Sequence, residues 1–103
     1  MTQRVIELTD FGAAENMKLI EADIPTPGPG QIVVKNDAIG LNYLDTYFRS
    51  GLYPWPNQEK IKVPGSEGVG HVYSVGDGVN FLKEGDKVSY VTPVGAYAEY
   101  ALI

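Results

Sequence analysis

Residues 39–54 read IGLNYLDTYFRSGLYP, and here alternating apolar residues give way to helical spacing. Asn42 is the expected N-cap, because its side-chain oxygen can accept hydrogen bonds from the free amides of a first turn. Asp45, three residues later, completes a spacing like that of a capping box. Gly51 ends the helical pattern. The segment therefore predicts one short helix at about residues 42–50.

The predicted helix carries aromatic and charged residues at regular intervals. Leu44, Tyr47 and Phe48 follow the i, i+3, i+4 pattern, so they share one face. Asp45 and Arg49 are four residues apart, which is the spacing of an ion pair on a helix surface. Taken alone, this pattern favours a surface helix with an aromatic inner face.

Length and composition are those of one globular domain. The chain has 103 residues, of which 44% are hydrophobic and 20% charged, enough for a modest core. The net charge is −5, and the Lys and Arg residues are scattered, so we expect no nucleic-acid partner. The first residues contain no long apolar run, so we expect no membrane span and a cytoplasmic location. There is no cysteine and one histidine, His71, which excludes disulfides and thiolate metal sites.

Short strand patterns separated by turn residues surround the helix. The strand candidates are Val5–Leu8, Met17–Ala22, Gln31–Leu41, Glu67–Val75, Lys87–Val91 and Ala96–Ile103. Asp10–Asn16 would join the first two strands as a hairpin. Asp77-Gly78, between Val75 and Val79, is a strong signal for a two-residue hairpin turn. Many short strands with one short helix predict a mainly β fold, either a sandwich or a barrel, and we favour a partly open barrel.

The end of the chain is open to two interpretations. Ile103 closes the sequence inside an apolar run, without a polar tail or a turn residue. This ending is expected of a chain cut from a longer polypeptide, and equally of a terminal strand that simply stops.

Four motifs appear in a fixed order along the chain: NYLDTYFRSGLYP at 42–54, VPGSEGVG at 63–70, GDGV at 76–79 and GDKV at 85–88. Together they closely resemble the N-terminal part of the zinc-independent quinone oxidoreductases. These are the zeta-crystallin-like members of the medium-chain dehydrogenase/reductase superfamily. The resemblance covers nearly the whole chain. It implies that residues 1–103 form the GroES-like, alcohol dehydrogenase N-terminal-like catalytic domain, a partly open β-barrel.

The same resemblance implies a Rossmann cofactor domain, which is absent from this chain. Phosphate binding requires a G-x-G-x-x-G turn between a strand and a helix. The only dense glycine cluster, residues 65–70, has the spacing G-x-x-G-x-G and leads into a strand. Gly68 and Gly70 are better explained as positions where a strand bends or another backbone comes close. We therefore expect NADPH to be held largely by residues outside this chain, and the isolated chain to be inactive.

Two positions separate the sequence from the zinc-dependent relatives that it also resembles. Asn42 stands where those enzymes carry a cysteine ligand, and Ser66 stands where they carry a histidine after the Pro-Gly pair. Neither residue is a good zinc ligand, although Glu67 remains nearby. We therefore expect no metal.

The resemblance implies hydride transfer from NADPH to a quinone, with the protein supplying orientation, hydrogen bonds and a dry cleft. Asn42 and Tyr47 are then the expected catalytic and cofactor-binding residues, facing the nicotinamide. Tyr53, in the Gly-x-Tyr-Pro turn, is expected to contact the quinone substrate by stacking. The residue pattern alone leaves plain alternatives for these three: an N-cap, a core aromatic and a turn aromatic.

The remaining charged residues of this region have an expected structural role. Asp45, Arg49 and Glu67 would form a charge cluster that holds the helix against the barrel. The full-length enzyme is expected to be a homodimer, as is typical of the family.

Two other functions remain open at this point. The same domain could reduce enoyl thioesters or other α,β-unsaturated carbonyls, because acceptor choice depends on both domains. It could also be a non-enzymatic GroES-like interaction module. In that case Trp55 and Ile61, within the loop 53–64, would form an exposed apolar tip.

Overall fold

The computed structural model describes residues 1–103 and contains six strands and one short α-helix. The elements are β1 (Thr2–Leu8), β2 (Met17–Asp23), β3 (Ile32–Ile39), α1 (Leu44–Arg49), β4 (Glu67–Val75), β5 (Lys87–Val91) and β6 (Tyr100–Leu102). A single 3-10 turn at Ala14–Asn16 precedes β2. No helix in the chain is long and apolar enough to cross a membrane. The predicted mainly β fold is therefore confirmed.

The strands form two antiparallel sheets that are joined by the segment 96–99. One sheet is the hairpin β1-β2, as predicted, and the other has the order β5-β4-β3-β6. Val5 and Ala98 form a β-bridge, and the amide of Ile6 donates to the carbonyl of Tyr97 at 2.9 Å. These bonds close one side of the structure, which gives the partly open β-barrel that the sequence predicts.

Strand β3 is the centre of the larger sheet. It pairs with β4 on one side and with β6 on the other. Ile32, Val33 and Val34 are all buried, although consecutive residues of a regular strand point to opposite faces. Both faces of this part of β3 are therefore covered. The pairing with β4 also shifts register between Val33 and Val34, an irregularity of the β-bulge type. The burial of β3 therefore does not follow the simple alternation of a regular strand.

Asn36 links β3 to two other parts of the barrel. Its Oδ1 accepts from the Tyr90 hydroxyl at 2.9 Å, and its Nδ2 donates to the carbonyl oxygens of Ala98 at 2.9 Å and Ala96 at 3.3 Å. A Cβ atom on Gly68 would lie 2.5 Å from the Tyr90 hydroxyl oxygen. Glycine at position 68 therefore leaves room for the hydrogen bond between Tyr90 and Asn36.

Gly70 is required by a backbone contact, as predicted. A Cβ atom at this position would overlap the carbonyl oxygen of Lys35 on the neighbouring strand β3. Gly68 differs, because the space it leaves is used by side chains and not by a backbone.

The turn at Asp77-Gly78 forms, but the two-residue hairpin predicted there is wrong. Gly78 has a φ of +84°, which suits a tight turn. The partner of β4 is nevertheless β5, and the whole segment 76–86 connects them. Val79 and Leu82 pack against the core, so this connection contributes apolar contacts instead of a strand.

We predict that Asn36→Ala lowers the free energy of unfolding by about 2 kcal/mol, because it leaves the Tyr90 hydroxyl and the Ala98 carbonyl without partners. Asn80→Ala is the matched control, since Asn80 is exposed and its side chain makes no hydrogen bond within the chain. Urea unfolding of both variants measures the difference. Equal midpoints for the two variants would show that the Asn36 bonds contribute nothing.

Candidate functional site

The start of the helix differs from the predicted capping arrangement. Tyr43 is the N-cap position and already has helical dihedrals, φ −59° and ψ −31°, with no side-chain cap. The predicted N-cap role of Asn42 is therefore wrong, because Asn42 lies one residue too early. The reciprocal half of the capping box is present: Asp45 Oδ2 accepts from the backbone amide of Asn42 at 3.0 Å.

Asp45 is the buried centre of this region, with only 6% of its surface exposed. Besides the Asn42 amide, its Oδ2 accepts from the Tyr97 hydroxyl at 2.5 Å. Its Oδ1 is buried and has no hydrogen-bond partner. Burial raises the pKa of Tyr97 well above its usual range, and the hydrogen bond and charge of Asp45 raise it further. Tyr97 therefore stays protonated and continues to donate to Asp45.

Gly65 makes the space that Tyr97 occupies. Its φ is +101°, and a Cβ atom there would overlap the Tyr97 ring and lie 2.8 Å from the Tyr97 amide nitrogen. The amide of Tyr97 donates to the carbonyl of Pro64 at 2.9 Å. The Pro-Gly pair thus shapes the pocket that brings Tyr97 to the helix. The sequence analysis did not identify Tyr97. The only sequence signal for this residue is its place between two small residues, Ala96 and Ala98, and both are buried in the structure.

The side chain of Asn42 extends away from the helix towards the larger sheet. Its Nδ2 donates to Glu67 Oε2 at 2.6 Å, at the beginning of β4. The amide of Gly40 donates to the Glu67 carbonyl at 3.2 Å, which keeps the end of β3 beside this residue. Asn42 is therefore held both by its backbone, through Asp45, and by its side chain, through Glu67.

The predicted charge cluster of Asp45, Arg49 and Glu67 does not form. The three ion pairs of the structure join other residues. Arg49 instead donates through Nε to the carbonyl of Gly12 at 2.9 Å and accepts from the Gly12 amide at 2.8 Å through its own carbonyl. Arg49 therefore binds the loop between β1 and β2, while exposed Glu67 binds Asn42.

The predicted inner face of the helix is also rotated. Phe48 is buried, but Leu44 is 37% exposed, and Asp45 takes the second buried position. The hydrogen bond from Tyr97 explains the rotation, because it draws Asp45 inwards. Tyr47 is half-buried.

Six aromatic rings on and near the helix form a continuous series of edge and tilted contacts. The pairs and their centroid separations are Tyr43–Tyr47 at 5.7 Å, Tyr47–Tyr53 at 5.3 Å, Phe48–Tyr53 at 5.6 Å, Phe48–Trp55 at 6.3 Å and Phe11–Trp55 at 6.4 Å. These separations are typical of favourable aromatic pairs.

The structure brings Tyr47 and Tyr53 together, and the Tyr47 hydroxyl makes no hydrogen bond within the chain. Tyr53 is 43% exposed. A groove of about 410 Å³ at the helix start is lined by Asn42, Tyr43 and Asp45 among others, but not by Tyr47 or Tyr53. Of the predicted site residues, Asn42 thus lies in the groove and the two tyrosines lie in the aromatic series.

Two residues, Asn42 and Ser66, stand where the zinc-dependent relatives are expected to carry zinc ligands, and neither fits a zinc ion. Ser66 is buried, and its hydroxyl donates to the carbonyl of Pro93 at 2.9 Å. The amide nitrogen of Asn42 is engaged by Glu67. No group of three or more His, Asp or Glu side chains converges anywhere in the chain.

Residues 28–103 match a family model described as the alcohol dehydrogenase GroES-like domain. The chain is 45% identical over 95 residues to the quinone oxidoreductase of Pseudomonas aeruginosa, covering 91% of this chain and 29% of that protein. It is 43% identical over 101 residues to a probable quinone oxidoreductase of Schizosaccharomyces pombe, covering 97% of this chain and 30% of that protein. The chain thus spans about 30% of the length of these curated relatives.

Solved structures give the same picture. The quinone oxidoreductase of Pseudomonas syringae superposes with a TM-score of 0.91 at 43% identity, covering 98% of this chain and 31% of that one. A mycobacterial protein in complex with NADPH superposes with a TM-score of 0.86 at 40% identity, covering 98% of this chain and 30% of that one. The resemblance to the quinone oxidoreductases that the four motifs indicated is confirmed.

We predict that Tyr97→Phe lowers the free energy of unfolding by about 1 to 2 kcal/mol near neutral pH, because the buried Asp45 carboxylate loses a hydrogen bond. Tyr73→Phe is the control, since Tyr73 is exposed and its hydroxyl makes no hydrogen bond within the chain. Denaturant titration measures both. If the two variants lose the same stability, the Tyr97–Asp45 bond does not hold the helix.

The difference in stability between the wild type and Tyr97→Phe is also predicted to depend on pH. The folded pKa of Tyr97 is raised above its ordinary value of 10.0, so the folded state binds the phenol proton more tightly than the unfolded state. The stability that the hydroxyl adds is fully present below about pH 10 and declines above it. The advantage of the wild type over Tyr97→Phe should therefore shrink above that pH, and a constant difference would contradict the account.

Proposed function

The chain belongs to the alcohol dehydrogenase GroES-like domain family, and on that premise we propose that it is the catalytic-domain part of an NADPH-dependent quinone oxidoreductase. In this proposal the domain forms one wall of the cleft where a nicotinamide meets a quinone. A Rossmann domain of the same polypeptide forms the other wall and holds most of the cofactor. The domain alone is inactive.

One observation carries the proposal: the helix start presents polar groups that the chain itself does not satisfy. The oxygen Oδ1 of Asn42 and the hydroxyl of Tyr47 have no partner within the chain. Around them, Leu41 is 83% exposed and Tyr43 is 78% exposed, which are high values for large apolar side chains. A second domain and a bound ligand would cover this surface and supply the missing partners.

The proposed chemistry assigns a separate task to each side chain. NADPH supplies the hydride when bound. Asn42 contacts its nicotinamide end, and Tyr47, a phenol, donates a hydrogen bond where negative charge develops on the quinone oxygen. Tyr53 contacts the quinone ring, since it is partly exposed and lies against Tyr47.

The reaction is proposed to proceed without zinc. Ser66 is buried with its hydroxyl engaged by a backbone carbonyl, so it cannot replace an imidazole ligand. The amide of Asn42 cannot replace a thiolate. Polarisation of the acceptor therefore depends on hydrogen bonds from the protein.

The proposal also includes a cytoplasmic, homodimeric enzyme. Reduction of enoyl thioesters or other enones by the same domain is the alternative within this chemistry. The interaction-module alternative has less support, because Trp55 packs against Phe48 and Phe11 and Ile61 is half-buried. The loop 53–64 therefore does not offer these two residues as an exposed apolar tip.

The proposed activity is testable on the complete polypeptide that carries this domain with its cofactor domain. After dialysis against a metal chelator, we expect the complete polypeptide to oxidise NADPH in the presence of quinones. The loss of nicotinamide absorbance measures this oxidation. A parallel panel of enones and enoyl thioesters distinguishes the alternative substrates. Loss of activity that zinc restores would refute the zinc-free mechanism, and inactivity with every quinone would refute quinone reduction.

Tyr47→Phe in the same enzyme is expected to lower the rate of quinone reduction about tenfold, which corresponds to one hydrogen bond in the transition state. Because the Tyr47 hydroxyl has no partner within the chain, the unfolding midpoint should not change. Tyr73→Phe is again the control and should keep both the rate and the midpoint. Unchanged kinetics of Tyr47→Phe with several quinones would contradict the assigned role.

A further inference from the structure

The two ends of the Asn42 amide are in different environments. Its Nδ2 donates to Glu67 Oε2 at 2.6 Å, whereas Oδ1 makes no hydrogen bond within the chain. A carboxylate can only accept hydrogen bonds, so it must face the amide nitrogen and not the amide oxygen. Glu67 thereby determines which end of the amide is left free.

Gly40 gives Glu67 its path to Asn42. A Cβ atom on Gly40 would lie 2.5 Å from Cδ of Glu67, so the carboxylate passes over a position that has no side chain. The backbone bond from the Gly40 amide to the Glu67 carbonyl, at 3.2 Å, keeps the two residues side by side. The backbone at the end of β3 and at the start of β4 therefore places Glu67 within reach of Asn42.

The backbone of Asn42 is fixed independently of its side chain. Its amide donates to Asp45 Oδ2 at 3.0 Å, and its carbonyl accepts from the Asp45 amide at 3.0 Å. The remaining freedom of Asn42 is rotation of its side chain, and the bond to Glu67 removes that freedom. Oδ1 is consequently a fixed, unpaired acceptor beside the groove that Asn42 lines.

We propose that Glu67 is a positioning residue that fixes Asn42 as a hydrogen-bond acceptor towards the nicotinamide nucleotide. The bound nucleotide then presents a donor at this point, which is a carboxamide N–H or a ribose hydroxyl. Glu67 itself does not touch the cofactor and acts only through Asn42. This inference rests on the proposed function and deepens it, because it specifies the direction of the hydrogen bond.

The test exchanges the donor and the acceptor between the two positions. Asn42→Asp keeps an acceptor towards the groove but places two carboxylates in contact. Asn42→Asp combined with Glu67→Gln restores a donor–acceptor pair, because the glutamine amide can donate to the aspartate. The double variant also keeps the net charge of the wild-type pair, so it is the matched control for the single variant.

The measurement is the dissociation constant of NADPH in the complete enzyme, with the unfolding midpoint recorded for every variant. Asn42→Asp alone is expected to weaken binding about tenfold, because repulsion turns the carboxylate away and one hydrogen bond is lost. Glu67→Gln alone is expected to weaken it about twofold, because glutamine can pair with either end of the Asn42 amide and half of the molecules then present the wrong end. The double variant is expected to return to within about twofold of the wild type.

NADPH binding by the double variant decides whether Asn42 acts as an acceptor. Recovery of NADPH binding in the double variant supports the acceptor assignment, since a role of Asn42 as a donor to the cofactor could not be restored by an aspartate. A double variant as weak as Asn42→Asp, with an unfolding midpoint like that of the wild type, overturns the assignment.

A second variant covers the case in which the double variant is unstable. Gly40→Ala displaces Glu67 from Asn42 without changing either residue, and it should weaken NADPH binding as Glu67→Gln does. Unchanged binding by Gly40→Ala would also overturn the assignment. Failure of the wild-type enzyme to bind NADPH would refute the proposed function itself, and this inference with it.

Discussion

The carboxylate of Asp45 is the point on which the arrangement of the site depends. One of its oxygens accepts both from the Tyr97 hydroxyl and from the backbone amide of Asn42. These bonds connect the helix to the segment that joins the two sheets, and they fix the residue just before the helix. An unpaired carboxylate would be costly to bury, so the two donors are needed to keep Asp45 inside.

Several small residues make this arrangement possible. Gly65 leaves space for the Tyr97 ring, and Gly40 leaves space for the Glu67 side chain that reaches Asn42. Tyr97 in turn lies on the segment that bridges β1, so the site and the closure of the barrel share the same backbone. The groups that the helix start presents are thus held by a rigid scaffold, which favours precise orientation of a ligand.

The fold was largely predictable from the sequence, because strand patterns and turn residues are local signals. The bounds of β4 and β5 agree with the predicted strands Glu67–Val75 and Lys87–Val91. The N-cap was predicted one residue too early, at Asn42, because Asn42 has the right chemistry for a cap. In the fold Tyr43 takes that position, and the Asn42 amide is turned towards Glu67. Local spacing gives no information about such a partner in a distant strand.

The contacts of the candidate site could not be predicted from the sequence. Helical spacing paired Asp45 with Arg49, whereas in the fold Asp45 binds Tyr97, 52 positions away in the sequence, and Arg49 binds a loop carbonyl. Periodicity treats a charged residue as a surface residue, so it placed Leu44 inside and Asp45 outside. Only the tertiary hydrogen bond reverses that order. Asn42, Tyr47 and Tyr53 were identified through the family resemblance, and their roles remain proposals.

Hydrogen–deuterium exchange of the complete enzyme, with and without NADPH, tests most directly whether this domain forms a wall of the nicotinamide cleft. The account predicts that NADPH slows exchange of backbone amides in the segment 41–48, around the helix start. Slower exchange confined to residues outside 1–103 would contradict it, because the cofactor would then be bound without contact to this domain.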